Sequence, residues 1–159
     1  MCGIVGAVAQ RQITDILIEG LRRLEYRGYD SAGLAVIDQK SGKLHCIKTV
    51  GKVQALVDRL KVEPAAGFTG ISHTRWATHG KPTTINAHPH VSADKLALVH
   101  NGIIENYQVL KNSLLDKGYV FTSDTDTEVI VHSIQDACKE LGLGFFEGVK
   151  YCVSQLEGA

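Results

Sequence analysis

Short apolar segments alternate along this chain with segments whose apolar residues recur at helical spacing. Strands are predicted for residues 2–9, 31–37, 43–48, 68–72 and 96–99, the second and third forming a hairpin. Helices are predicted from about Thr14 to a stop at Gly28 and for residues 53–60, 106–117, 126–141 and 145–156. The fourth helix begins with a capping-box pattern, in which Thr125 would be the N-cap and the Glu128 side chain would accept the Thr125 backbone N–H. This order predicts a mixed α/β fold.

The composition predicts one globular domain over residues 1–159, large enough to bury a core. The 17 Lys and Arg residues balance 17 Asp and Glu residues, which argues against a nucleic-acid partner or a membrane-surface helix. No apolar run reaches the roughly 18 residues that a bilayer span requires. The N-terminus carries no basic stretch ahead of its apolar run, so it does not look like a secretory signal, and we expect a cytoplasmic protein.

The four cysteines show no C-x-x-C spacing, which argues against a zinc ribbon or a thioredoxin-type pair. Without a secretory signal we expect reduced thiols. Cys46, Cys138 and Cys152 lie among apolar neighbours and read as small core residues. Cys2 differs because it is the second residue of the chain.

A long polar segment occupies residues 75–94 and contains two prolines. Loops of this length inside a compact domain are often functional. Five histidines fall in or beside this segment, namely His73, His79, His88, His90 and His100. They raise the possibility of a metal site, but no carboxylate or cysteine accompanies them at ligand spacing, so we expect none.

Two interpretations of Cys2 are open, one catalytic and one structural. Initiator methionine is generally removed before a small residue, which would place a thiol and a free α-amine on Cys2. The α-amine, with a reference pKa of about 7.7–8.0, could act as the base for its own thiol nucleophile. Alternatively, Cys2 is simply the first residue of an apolar strand.

Five segments together resemble a known family. They are residues 2–6 (CGIVG), 23–33 (RLEYRGYDSAG), 72–80 (SHTRWATHG), 100–106 (HNGIIEN) and 123–130 (SDTDTEVI). The first resembles the opening of the class II glutamine amidotransferases, which are N-terminal-nucleophile hydrolases. All five in this order resemble the glutaminase domain of the glutamine–fructose-6-phosphate aminotransferases. The related amidophosphoribosyltransferases usually carry tyrosine where Trp76 stands and lack the full second string.

The resemblance implies a four-layer αββα sandwich with mostly antiparallel sheets. Since the chain stops just after a predicted helix, we expect the fold to be truncated on its C-terminal side. The implied substrate is L-glutamine, with no cofactor and no metal. Fructose 6-phosphate would receive the ammonia on a sugar-phosphate domain absent from this chain. The resemblance also implies a homo-oligomeric full enzyme, and the isolated fragment is expected to be weakly active or inactive and prone to associate.

The implied catalytic residues are Cys2 as nucleophile with Asn101 and Gly102 as the oxyanion hole. An amide side chain and a backbone N–H are donors suited to a tetrahedral oxyanion. Asn-Gly is also a common turn dipeptide, which is the alternative reading.

Further residues are implied to bind the substrate. Arg75 would take the α-carboxylate of glutamine and Asp126 its α-ammonium group; alternatively, they are a surface ion-pair residue and a helix N-terminal carboxylate. Trp76 would gate the ammonia path, although a lone tryptophan is usually a core residue. The implied loop over the substrate contains Thr78 and His79, and Arg27 is expected near the Cys2 thiolate.

Three other functions remain open at this stage. The chain could be the glutaminase portion of another class II amidotransferase, chiefly the phosphoribosyl type. It could be a histidine-rich metal-binding module. It could also be a catalytically silent unit.

Overall fold

The helices and strands follow the predicted order. The computed structural model describes residues 2–77 and 80–158. The strands are β1 (Gly3–Val8), β2 (Ser31–Ile37), β3 (Leu44–Val50), β4 (Thr69–Arg75), β5 (His90–Ser92) and β6 (Leu96–Leu98). The helices are α1 (Thr14–Leu24), α2 (Val53–Val62), α3 (Tyr107–Asp116), α4 (Glu128–Glu140) and α5 (Phe145–Gln155), with a short 3-10 helix (Glu25–Arg27) after α1.

The larger sheet brings the start of the chain beside residue 75. Its strand order is β1-β4-β2-β3, and every neighbouring pair is antiparallel. The register places Gly3 opposite Thr74 and Ser31 opposite Arg75. Cys2, which directly precedes β1, therefore lies next to the C-terminal end of β4.

Helices α1 and α2 cover one face of this sheet. Side chains alternate between the faces of a strand, so every second residue of β2 enters the core beneath α1. The buried apolar residues of this core are Ile13, Leu17, Ile18, Leu21, Ala32, Leu34, Val36, Ile47, Val53, Leu56 and Ala65. Each large aliphatic side chain buried here contributes about 1.5–3 kcal/mol of transfer free energy.

The opposite face of the large sheet meets the β5–β6 pair, where the Cys46 thiol lies 3.8 Å from the Pro89 carbonyl oxygen. Helix α4 packs on the far side of β5 and β6, and α3 and α5 pack against α4. A second core lies among these helices and includes Ile104, Leu114, Val129, Ile130, Ile134 and Cys152. The layers run helix, sheet, sheet, helix, and the prediction of a mixed α/β fold with antiparallel sheets is confirmed.

Two local predictions were wrong. The predicted loop contains β5, which pairs antiparallel with β6. Helix α4 has no capping box between Thr125 and Glu128, since no side-chain cap bond is made at its N-terminus. The Glu128 carboxylate instead accepts hydrogen bonds from the backbone N–H and hydroxyl of Ser123 at 2.8 and 2.6 Å. The Thr125 hydroxyl pairs with His90 Nε2 at 2.9 Å.

Part of the sheet-to-sheet face is open. Val8 on edge strand β1 is 81% exposed and Ile37 on β2 is 43% exposed. Association of the chain through these apolar side chains stays a prediction. All four cysteines have free thiols; Cys152 is buried, whereas Cys46 and Cys138 are only partly so. Within the described ranges, no helix has the length and hydropathy needed to cross a bilayer.

Candidate active site

Five separate parts of the chain meet in one pocket between the two sheets. The residue before β1, the end of β4, the segment before β5, the segment after β6 and the segment before α4 each contribute to its lining. Six predicted site residues line the pocket, namely Cys2, Arg75, Trp76, Asn101, Gly102 and Asp126. The pocket is small, about 30 Å³.

The Cys2 sulfur faces the backbone at the end of β4. The Trp76 N–H donates to Cys2 Sγ at 3.2 Å, and Sγ lies 3.8 Å from the Trp76 carbonyl oxygen. A sulfur that carries negative charge accepts such an N–H bond more strongly than a neutral one does. The sequence motif indicated the Trp76 side chain but not this backbone donor.

Asp30 holds the backbone on both sides of Trp76. Its own N–H donates to the Arg75 carbonyl oxygen at 2.8 Å, and its carboxylate Oδ2 accepts the Ala77 N–H at 2.5 Å. These two bonds fix the turn that follows β4, and with it the N–H that faces Cys2. Sequence reasoning assigned no role to Asp30, although it belongs to one of the quoted motifs.

The pocket contains one buried cation and one buried anion. Arg75 is 5% exposed at the end of β4, and Asp126 is 6% exposed two residues before α4. One Asp126 oxygen, Oδ2, accepts the Ile104 N–H at 2.7 Å. Charges this deeply buried are stable only when they are paired or hydrogen-bonded. A free amino acid, which carries both an α-carboxylate and an α-ammonium group, complements such a pair.

The Asn101–Gly102 corner is supported by the C-terminal end of the chain. Glu105 N–H donates to the Glu157 carbonyl oxygen at 2.8 Å, and the Asn106 side-chain amide donates to the Gln155 carbonyl oxygen at 2.8 Å. The loop after β6 is therefore held by the end of α5 as well as by Asp126. This fixes the corner that faces Cys2.

Trp76 lies at the mouth of the pocket with 53% of its surface exposed, so it is not a core residue. Its indole packs over Gly28: a Cβ on that glycine would lie 2.9 Å from the ring. Arg27, the neighbour of Gly28, is exposed, and its Nε donates to the Tyr26 hydroxyl at 3.3 Å. Arg27 is not among the residues that line the pocket. The contact of Arg27 with the Cys2 thiolate stays a prediction.

Thr78 and His79, the predicted loop residues over the substrate, lie outside the described residues, as does Met1. Within residues 2–77 and 80–158, no three His, Cys, Asp or Glu side chains converge in an arrangement that could hold a metal ion.

Three buried histidines form a cluster at the pocket, and two of them, His73 and His88, line it. The rings of His73 and His88 stack with centroids 4.3 Å apart, and His90 meets His88 edge-on at 4.7 Å. Burial of the rings lowers the pKa of His73 to about 4 and that of His90 to about 3, and it lowers the pKa of His88 further. All three rings are therefore neutral near pH 7.

Because these three rings are buried and neutral, we expect the protein to lose stability against unfolding in mild acid. The unfolded histidines take up protons near pH 6.5, whereas folded His73 does so only near 4. The unfolded state therefore binds more protons in that window, and the free energy of unfolding should fall as the pH drops from about 6.5 towards 4. The loss for His73 alone is on the order of 3 kcal/mol. Urea denaturation at several pH values measures it.

His90→Gln should flatten this pH dependence, because one buried titrating ring is removed. The matched control is His45→Gln, which alters a partly exposed ring on edge strand β3 and should leave the wild-type slope. A wild-type free energy of unfolding that stays constant between pH 6.5 and 4 would contradict the prediction.

Comparison with known proteins gives a consistent result. A family model described as a glutamine amidotransferase domain matches residues 73–159. The chain is 57% identical over 159 residues to the glutamine–fructose-6-phosphate aminotransferase (isomerizing) of Vibrio cholerae, and 58% identical to that of Photorhabdus laumondii. Each match covers all of this chain and 26% of the relative, so the chain spans about a quarter of the length of these relatives.

Solved structures share the fold. The glutamine phosphoribosylpyrophosphate amidotransferase of B. subtilis, solved with ADP and GMP, matches with a TM-score of 0.81 at 28% identity, covering 100% of this chain and 34% of the other. A structure described as the allosteric regulatory enzyme of purine biosynthesis matches with a TM-score of 0.83 at 29% identity, with the same coverage.

Proposed function

Because the chain belongs to the family of glutamine amidotransferase domains, we propose that it hydrolyses the side-chain amide of L-glutamine to glutamate and ammonia. The observation that carries the proposal is the single pocket in which Cys2 lies with a buried cation, a buried anion and the Asn101–Gly102 corner. This set matches the parts of the substrate: a reactive amide, an α-carboxylate and an α-ammonium group.

The first half of the reaction forms a thioester. Once Met1 is removed, the Cys2 α-amine accepts the thiol proton, and the sulfur attacks the side-chain carbonyl carbon of glutamine. The carbonyl oxygen becomes an oxyanion as the C–S bond forms. The tetrahedral intermediate then collapses, the C–N bond breaks, and the α-amine passes its proton to the departing nitrogen, which leaves as ammonia.

The second half releases glutamate. A water molecule gives a proton to the α-amine while its oxygen attacks the thioester carbon. The C–S bond breaks, and the proton returns to the sulfur. In both halves the oxyanion is stabilised by the side-chain amide of Asn101 and the backbone N–H of Gly102, which is the main electrostatic contribution of the site.

Arg75 and Asp126 orient the substrate. The planar guanidinium of Arg75 binds the α-carboxylate with two parallel hydrogen bonds, and the Asp126 carboxylate binds the α-ammonium group. The pocket, at about 30 Å³, is far below the roughly 300–1,000 Å³ of typical ligand sites. We therefore expect the exposed Trp76 ring to shift when glutamine enters.

We extend the proposal to the fate of the ammonia. The relatives that are 57–58% identical are named for glutamine and fructose 6-phosphate. We propose that the ammonia aminates fructose 6-phosphate on a sugar-phosphate domain outside residues 1–159. The phosphoribosyl alternative is less well supported, since the solved phosphoribosylpyrophosphate amidotransferase of B. subtilis is 28% identical and Trp76 stands where tyrosine is usual. A homo-oligomeric state stays a prediction.

The proposal is tested by comparing the protein before and after proteolytic cleavage exposes the α-amine of Cys2. The full-length protein is produced as an N-terminal fusion whose cleavage leaves Cys2 as the first residue, which intact mass confirms. Before cleavage the α-amine is part of an amide and cannot act as a base. Glutamate and ammonia should therefore appear in equal amounts only after cleavage.

The uncleaved fusion is the matched control, since its polypeptide is otherwise identical. A cleaved protein that releases no glutamate, or an uncleaved one that is equally active, would overturn the proposed mechanism.

A further inference from the structure

A buried histidine contacts the side chain of the proposed oxyanion donor. His73 Nε2 lies 2.7 Å from Asn101 Oδ1, and the His73 side chain is 1% exposed. His73 lies on β4 two residues before Arg75, so both side chains are on the face of the sheet that meets β5 and β6. The mechanism above assigns no role to His73.

The contact determines which end of the Asn101 amide is available to the substrate. An asparagine side chain has an accepting oxygen and a donating nitrogen of nearly the same size. Its terminal torsion has two similar wells, so the amide can rotate and exchange these ends. Only the nitrogen end stabilises an oxyanion; the oxygen end repels it.

The surroundings of His73 favour one tautomer. Burial lowers the pKa of the ring to about 4, so it is neutral and carries one proton near pH 7. Nδ1 is buried without a hydrogen-bond partner, and a proton placed there would leave an unsatisfied donor. A proton on Nε2 instead faces the Asn101 oxygen at 2.7 Å.

The His73 ring is itself held in place. It stacks on His88 at 4.3 Å with 23° between the rings. His88 Nδ1 accepts the backbone N–H of His100, the residue before Asn101, at 3.3 Å. The same pair of rings therefore supports the Asn101 side chain and the backbone that leads to it.

We infer that His73 is a positioning residue for the oxyanion hole: its Nε2–H holds Asn101 Oδ1, so that the Asn101 NH₂ group faces the developing oxyanion. The inference rests on the proposed glutaminase function. His73 does not touch the reacting atoms and acts through Asn101. Its loss should lower the rate of the chemical step and leave substrate binding by Arg75 and Asp126 unchanged.

The test uses two substitutions in the full-length protein with Cys2 as its first residue. In His73→Gln the amide nitrogen occupies about the place of Nε2 and can donate to Asn101. In His73→Asn the shorter amide cannot reach. We expect kcat for glutamine hydrolysis to fall roughly 10²-fold in His73→Asn with KM little changed. We expect the kcat of His73→Gln to lie within roughly tenfold of the wild-type value, because its amide can still donate to Asn101.

Two further readouts separate positioning from general damage. Alkylation of Cys2 by iodoacetamide forms no oxyanion, so its rate should be the same in wild type and both variants. In an Asn101→Ala background, His73→Asn should cause no additional loss of kcat, because the group that it positions is already absent.

The inference is overturned if His73→Asn keeps the wild-type kcat in an active protein. It is also overturned if both substitutions lower kcat and alkylation equally, which would indicate a structural role. One measurement needs no variant: ¹⁵N NMR of the neutral His73 ring should show the proton on Nε2, and a proton on Nδ1 would contradict the inference. A wild-type protein without glutaminase activity would instead overturn the proposed function.

Discussion

Replacing Cys2 with alanine should abolish the release of glutamate from glutamine. The substitution removes the sulfur proposed to form the thioester, and among the described residues that line the pocket no other side chain carries a thiol. Loss of the nucleophile lowers kcat by at least roughly 10⁴-fold in other acyl-transfer enzymes. Glutamate is measured by a coupled assay, and glutamine binding by calorimetry should persist because Arg75 and Asp126 remain.

Cys2→Ala should leave the fold intact, since Cys2 is partly exposed and water can replace its Sγ as the acceptor of the exposed Trp76 backbone N–H. The matched control is Cys46→Ala. Burial raises the pKa of the Cys46 thiol to about 11, so this thiol is unreactive near neutral pH. The control should hydrolyse glutamine at the wild-type rate. Equal activity in Cys2→Ala and wild type would end the proposed chemistry.

Gly33→Ala should destabilise the fold severely. Gly33 lies on β2 where the segment before β5 crosses the large sheet. A Cβ at this position would be 2.2 Å from the His88 carbonyl oxygen and 3.0 Å from the Ile47 carbonyl oxygen. Both contacts are with backbone, so no side chain can rotate away, and the strand or the crossing segment must move. We expect a loss of about 3 kcal/mol or more, which lowers Tm by roughly 6–12 °C.

The large sheet provides a matched control for this substitution. Gly6 on β1 also has extended backbone, and a Cβ there would find its nearest neighbour, Ile71 Cγ2, at 4.0 Å. Gly6→Ala should therefore change the free energy of unfolding by less than about 1 kcal/mol. Thermal melts of both variants measure the difference. Equal Tm values would contradict the prediction, because they would mean that the segment before β5 can move to accept the added Cβ at little cost.

Gly33→Ala should also affect catalysis, because His88 stacks on His73 and accepts the His100 N–H. Displacing the His88 backbone therefore disturbs the Asn101 corner. A folded Gly33→Ala protein assayed below its Tm should have a lower kcat than Gly6→Ala.

Most elements could be predicted from local patterns, and the exceptions have physical reasons. Helix α1 has a continuous apolar stripe, and the 3-10 helix that follows it ends at Gly28, whose φ is +72°, so local spacing sufficed. Strand β5 is three residues long and contains His90 and Ser92, so it shows no apolar alternation. The Thr125–Glu128 pattern was misread because Ser123 offers the buried Glu128 two donors.

The site was predictable only in part. Sequence motifs indicated six residues that the structure brings into one pocket, namely Cys2, Arg75, Trp76, Asn101, Gly102 and Asp126. No sequence pattern indicated the hydrogen bond of Asp30 to the Ala77 N–H or the contact of His73 with Asn101. Each joins residues 28 to 47 positions apart, and spacing along the chain carries no information about such contacts.

The chain by itself determined where strands and helices form and which chemical groups are present, because helix spacing, turns and residue type act over a few neighbouring residues. Only the tertiary structure decided what these groups can do together. The β1–β4 register places Cys2 beside the end of β4, and the stacking of two sheets removes the histidines from water. Hydrogen-bond geometry and desolvation belong to the packed molecule, and those two effects orient the Asn101 amide and keep the His73 ring neutral.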